Sequence, residues 1–299
     1  MGTYYTLYIS YTEVLMTVIN DSDAVLDKER ILPQHQAALT LIQNIVEDPR
    51  LDNFSWLDLC CGRGQLIYHL DDMINSGSRS KISYCAYDVQ SDFVTLTQKK
   101  AESLGFKSLR VEVGDIGNYP VIYTRDQSFD FITLTNTVHE INVHILSRLY
   151  VESLLRLSDN GCLFIYDMES LPKLELGAIT WTGTEMQEIF NVLFDNLGIP
   201  TYKPTVSRVR HKTTICWSIQ LKRAYFGVSN ENLVEKSQSA VENTQVQINK
   251  MLREKFDTSK AMLDSLTKYG SDSRQEENEL QSTLYDFWAL SRALEVIKP

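Results

Sequence analysis

Carboxylates and one imidazole recur at one kind of place in this 299-residue chain, at the end of a short apolar run. Asp58 lies inside Trp56-Leu-Asp-Leu59, Asp88 follows Ile82 to Tyr87, and Asp115 follows the alternating Leu109, Val111 and Val113. Asn136-Thr-Val-His139-Glu140 follows Phe129 to Leu134, and Asp167, with Glu169 beyond it, follows Cys162 to Tyr166. Runs of this length suit strands buried in a parallel sheet. Ligands of open α/β sheets bind outside the carboxyl ends of the strands. An acid there can accept hydrogen bonds from ribose hydroxyls, and several acids together suit a cation better than a pyrophosphate. His139 is the foremost general-base candidate, because an imidazole titrates near neutral pH. Asp167 and Glu169 could assist deprotonation or bind a cationic amine. His139, Glu140 and His144 miss the H-E-x-x-H zinc spacing by one residue, and the five cysteines contain no C-x-x-C pair, so no metal is expected.

The densest signal is Ser55-Trp-Leu-Asp-Leu-Cys-Cys-Gly-Arg-Gly-Gln-Leu-Ile-Tyr-His-Leu70. Here a strand runs into Gly62 and Gly64, which allow a tight turn and close approach of backbone to a ligand. Leu66, Ile67 and Leu70 then continue at helical spacing. A dinucleotide-binding turn would carry a third glycine where Ile67 stands. The stretch resembles the first motif of class I S-adenosylmethionine-dependent methyltransferases in its L-D-L-C-C-G-R-G form. That resemblance implies S-adenosylmethionine as cofactor. It implies that Asp58 orients the glycine loop or holds the methionine moiety, with Cys60, Gly62 and Gly64 forming the loop. Asp88, 26 residues beyond Gly62, would bind the ribose, with Val89 beside it. Asp115 would hold the adenine amino group with Ile116 against the ring. Asn136 to Glu140 would border both the methionine end and the acceptor.

The elements that must position these residues alternate between helical and strand patterns. Pro33 opens a helix on Ala38, Leu41, Ile42, Ile45 and Val46 that stops at Asp48-Pro49. Phe93, Leu96, Ala101 and Leu104 mark a second helix, and Val143 to Leu157 a long one predicted to end at Asn160-Gly161. A loop over 170–183 leads to a helix on Met186, Ile189, Phe190, Leu193 and Leu197, then strands at Val206 to Arg210 and Ile215 to Leu221. The expected fold is α/β: a doubly wound, mostly parallel seven-stranded sheet with helices on both faces and an α-helical C-terminal extension. The expected divisions are 1–50 for the lead-in, 51–223 for the cofactor-binding core and 224–299 for the extension. Trp288 and Phe287 in the extension call for burial, in the monomer or at an interface.

A formal charge of -10 and a pI near 5.1 set the whole chain against nucleic acid and anionic membrane. The basic run Arg208, Arg210, His211 and Lys212 reads first as the solvated side of an edge strand, with a phosphate or carboxylate contact as the alternative. N-P-P-Y, D-P-P-Y and a Pro-Cys nucleophile are absent, which argues against DNA bases. The scattered cysteines suit a reducing compartment. The tyrosine-rich residues 4–19 lack a basic lead and carry Glu13, so a soluble cytoplasmic protein without a membrane span is expected. Tyr4, Tyr5, Tyr8 and Tyr11 could line a flap over a substrate. The expected activity is methyl transfer to oxygen or nitrogen of a small or medium-sized acceptor. The alternatives are a cofactor-binding scaffold acting through a protein partner or through self-association at 224–299, and an RNA methyltransferase.

Overall fold

The computed structural model describes residues 32–171, 175–211, 214–269 and 273–295, so the tyrosine cluster at Tyr4 to Tyr11 lies outside the described residues. Its strands are β1 (Phe54–Leu59), β2 (Ile82–Asp88), β3 (Ser108–Val113), β4 (Phe129–Thr135), β5 (Leu157–Met168), β6 (Val206–His211) and β7 (Thr214–Lys222). They form one seven-stranded sheet in the order β3-β2-β1-β4-β5-β7-β6. β1 to β5 pair in parallel, and β7 enters antiparallel to both β5 and β6. The order reverses at β1, so the cleft expected for a ligand opens between the ends of β1 and β4.

Alternation along the strands feeds two cores. Phe54, Trp56, Tyr84, Phe131 and Phe164 face one side, while Leu57, Leu59, Ile132, Leu134 and Ile165 face the other. On the first side lies α1 (Pro33–Val46), which starts on its proline and buries Ala38, Leu39, Ile42 and Val46. α2 (Ser91–Glu102) also covers this side, through Ala101. The second side holds α3 (Leu146–Leu154) and α4 (Gly183–Asn196). α4 begins with a reciprocal capping box between Thr182 and Glu185, which fixes its first turn and is worth about 1 kcal/mol.

Two sequence expectations change here. The segment after the glycine turn is not one helix but three single turns, Gln65–Tyr68, Leu70–Met73 and Ser76–Arg79. His69 leaves helical geometry after the first turn, and the Asn75 side chain caps the last by accepting from Ser78 N–H. Leu157 does not end the helix from Val143; it begins β5, paired with Phe129. The buried Arg156 explains this, because its guanidinium donates to the carbonyls of Tyr123, Pro120 and Glu152, while its own carbonyl accepts from Phe129 N–H. Asn160-Gly161 then falls at the irregularity in β5, where a side chain on Gly161 would collide with the Phe129 carbonyl.

The extension is a helical hairpin of α5 (Asn230–Tyr269), a single 40-residue helix, and α6 (Arg274–Glu295). Leu233, Ala240, Ile248, Met251 and Leu252 of α5, with Ala289 and Leu290 of α6, join the core cluster that holds α3 and α4. Phe287 and Trp288 are half-buried, and Phe287 stacks on Phe256 with ring centroids 5.2 Å apart. Among the described residues no helix is long and apolar enough to cross a membrane.

Candidate active site

Strand register brings the chemistry-bearing residues to one edge. Leu59 lies level with Tyr87 and Leu134, Asp88 with Val113, and Thr135 with Tyr166. The residues that follow, Cys60, Asp88, Gly114, Asn136 and Asp167, therefore leave the sheet side by side. Cys60, Gly62, Gly64 and Asn136 all take left-handed backbone, with φ of 54°, 54°, 79° and 56°. Two of these are not glycine, and such strain collects where the surrounding structure over-determines a site.

Asp88 organises the turn. One carboxylate oxygen accepts from Gly62 N–H at 2.9 Å and the other from Gln90 N–H at 2.9 Å. Thr97 O–H donates to the Gly62 carbonyl at 2.8 Å, tying α2 to the same turn. Burial raises the Asp88 pKa against the pull of those N–H donors. Asp115 is placed by Tyr87, whose hydroxyl donates to the Asp115 carbonyl at 3.0 Å; a side chain on Gly114 would collide with that hydroxyl. The exposed Asp115 carboxylate accepts from Gly117 N–H, with Ile116 half-buried beside it. Val89 is exposed next to Asp88.

A nucleoside cofactor fits this edge. The Asp88 carboxylate accepts from backbone N–H groups of Gly62, Gln90 and Val89 and, with about four lone-pair sites, keeps capacity for a hydroxyl. The buried Oδ1 of Asn136 has no hydrogen-bond partner among the described residues. A buried acceptor left open costs free energy, which a bound donor relieves.

Asp58 behaves differently. It is fully buried inside β1, and its oxygens accept from Thr133 O–H at 2.7 Å and Tyr84 O–H at 2.9 Å. Trp56 Nε1–H in turn donates to the Thr133 hydroxyl. Burial, offset in part by those two bonds, pushes its carboxyl up to about 7. Asp58 thus anchors β1 to β2 and β4 beneath the turn, and both of its oxygens face protein.

Beyond Asn136 the edge is built from charge. His139 is buried, and its Nδ1 lies 2.7 Å from Asp167 Oδ1 and its Nε2 3.1 Å from Glu175 Oε2. His139 N–H also donates to Asp167 Oδ2 at 3.0 Å. Carboxylates only accept, so a ring that satisfies both must donate from both nitrogens and is an imidazolium. Burial alone would lower its pKa. The charge and hydrogen bond of Asp167, then the bond to Glu175 and the charge of Glu140, outweigh burial and hold it up to about 10. At neutral pH His139 has no lone pair, so its titration near neutrality, expected from sequence, is not what this environment allows. The donor atoms of His139, Glu140 and Glu175 lie within 4.8 Å of one another, a set that could also take a cation in place of the shared proton.

Asp167 is likewise engaged, accepting from His139 and from Met168 N–H. Glu169 forms a two-pronged pair with Arg208 at 2.7 and 2.6 Å and accepts from Gly183 N–H, which strings β5, β6 and the start of α4 together. Its pKa is lowered: burial raises it, but Arg208 and the Gly183 N–H outweigh that. Arg208 is thereby drawn from the basic run, and Lys212 lies outside the described residues. Glu175 was not singled out by sequence. It sits in an irregular loop, 36 residues from the histidine it meets, and no local pattern points to it.

Comparison with known proteins adds a family. A methyltransferase-domain family model matches residues 51–202, half of the chain. No curated protein matches. Among solved structures, magnesium protoporphyrin IX methyltransferase from Synechocystis PCC 6803 with bound SAH is 12% identical, covering 71% of this chain and 98% of its own, at a TM-score of 0.47. A SAM-dependent methyltransferase from Aquifex aeolicus is 19% identical, covering 62% and 97%, at 0.39. The chain belongs to the methyltransferase-domain family and is an S-adenosylmethionine-dependent enzyme of class I.

Proposed function

From that membership we propose that the enzyme transfers a methyl group to an oxygen or nitrogen of a small or medium-sized acceptor that brings its own lone pair. When bound, S-adenosylmethionine supplies a methyl group activated by a positive sulfur. Asp88 accepts from the ribose hydroxyls while holding the turn of Gly62, and backbone groups of Cys60 to Gly64 line the methionine moiety. The Asp115 carboxylate accepts from the adenine amino group, Ile116 and Val89 flank the ring, and Asn136 Oδ1 takes a donor at the boundary with the acceptor. Asp58 holds β1 level with its neighbours so that this edge keeps its shape.

The observation that carries the acceptor reading is the engagement of His139, Asp167 and Glu169. Each of the three expected bases is committed to a charged or backbone partner. Alignment and exclusion of water then supply the rate, and positioning alone can be worth roughly 7–11 kcal/mol. The total charge of -10 and the pairing of Arg208 with Glu169 favour a small acceptor over RNA. The test is release of S-adenosylhomocysteine from S-adenosylmethionine across amines, phenols, carboxylates and short RNAs. Product with a deprotonated or neutral nucleophile supports the reading, and product only with RNA contradicts it. Turnover should also lack an acidic limb near pH 6.5, where a free imidazole would lose activity.

A further inference from the structure

The C-terminal hairpin does more than cover the helices of the core. Four of its contacts fall on the two segments that flank the acceptor side. From α5, Gln245 donates to the Val143 carbonyl at 3.0 Å, and Lys255 pairs with Glu185 at 2.8 Å while its ammonium lies 5.5 Å from the centre of the Trp181 ring. From α6, the Ala293 carbonyl accepts from His144 Nε2–H at 3.0 Å. The fourth is an approach, Trp288 facing Gly177: a Cβ built on Gly177 would sit in ordinary van der Waals contact, 3.7 Å from Trp288 Cζ3. Gly177 holds a left-handed φ of 86° and offers bare backbone to the indole.

The place of Gly177 matters. Two residues before it, Glu175 bonds Nε2 of His139; two residues after it, Ile179 N–H donates to the His139 carbonyl at 2.8 Å. Trp288 therefore faces the loop midway between the two ties that close it on His139, one methyl group's width from Gly177. Arg292 lies over the indole, 5.8 Å from its centre, and Trp288 packs against the main core. The loop itself lacks regular secondary structure between Glu175 and Trp181. Its closure depends on those ties and on what backs them.

We propose that Trp288 and Lys255 are positioning residues: the hairpin is a wall of the acceptor side and keeps the loop of Glu175 to Trp181 closed on His139. An extension serving only as ballast would hold α3 and α4 and leave this loop to itself. The proposal rests on reading the His139 clamp as the acceptor-side wall, but its test needs no acceptor. Trp288→Ala is compared with wild type and Trp288→Phe in the full chain. The readouts are amide hydrogen exchange at Ile179 and the ring-proton signals of His139 in NMR spectra.

The expected result is Ile179 exchange faster by about tenfold or more, with His139 ring protons broadened, while amides of β1 and β2 keep their protection. Trp288→Phe should restore both signals. A folded Trp288→Ala protein with Ile179 and His139 unchanged overturns the proposal. If Trp288→Ala does not fold, Lys255→Ala is read the same way: loosened signals support the proposal and unchanged ones overturn it. A wild type that bound no S-adenosylmethionine would contradict the cofactor reading and leave these signals to decide the clamp on their own.

Discussion

The two halves of the site are made by different physics. The half proposed for the cofactor, Cys60 to Gly64 with Asp88 and Asp115, is held by backbone: left-handed turns, N–H groups on Asp88, and a tyrosine hydroxyl on the Asp115 carbonyl. The half proposed for the acceptor, His139 with Asp167 and Glu175, is held by charged side chains brought from distant segments. A backbone-built half is pre-shaped for one ligand and follows from a local sequence pattern. A charge-built half depends on long-range closure, and its properties depend on protonation.

The largest expected effect is on the charged half. His139→Gln leaves Asp167 buried without its cationic partner, and breaking a buried pair this way costs about 3–5 kcal/mol of stability. The folded state holds the His139 proton up to about 10, against about 6.5 in the unfolded chain. Its stabilisation is thus complete below pH ~6.5 and is lost as pH rises through 10. Urea denaturation across that window should show wild type weakening more steeply than His139→Gln, which keeps only the decline near pH 9 due to buried cysteine thiols held above their ordinary range. A parallel decline in both would mean that His139 is neutral in the folded state.

Asp58 sharpens the comparison from beneath the backbone-built half. Its folded carboxyl is held up to about 7, against about 4 when unfolded. The folded state again binds the proton more tightly, so stability is full below pH ~4 and falls as pH rises through 7. Asp58→Asn should remove a loss on the order of 2–4 kcal/mol between those limits, read from thermal unfolding at pH 4 and pH 8. Equal slopes for the variant and wild type would show Asp58 ionised throughout.

The smallest effect is expected at the Arg208–Glu169 pair, which is exposed on the arginine side. Arg208→Gln should leave the denaturation midpoint nearly unchanged, because an exposed ion pair is screened by water and salt. A large loss would make this pair part of the charged half.

The mostly parallel seven-stranded sheet and the gathering of the glycine turn, Asp88 and Asp115 at one edge were legible because each signal is local. Apolar runs mark strands, and Gly62, Gly64, Asp88 and Asp115 each sit at a strand end. What escaped depends on partners far along the chain. Glu175 meets His139 across 36 residues, and Thr133 meets Asp58 across 75. Those partners decide whether a histidine is a base or a cation, and whether an acid faces ligand or core. Leu157 reads as helix for a similar reason: its apolar side chain continues the helical spacing, but Arg156 turns the backbone into β5. The extension read as helical, while its reach to Gly177 and His144 has no counterpart in local pattern.

The most direct test of the two-part site is calorimetric titration of S-adenosylmethionine into wild type, Asp88→Ala and His139→Gln. Wild type and His139→Gln should bind alike below pH 7, provided the variant is folded. Asp88→Ala should lose on the order of 1.5–3 kcal/mol of affinity, as charge-assisted hydrogen bonds and the hold on Gly62 go together. Equal affinity in wild type and Asp88→Ala would contradict the account by placing the cofactor elsewhere.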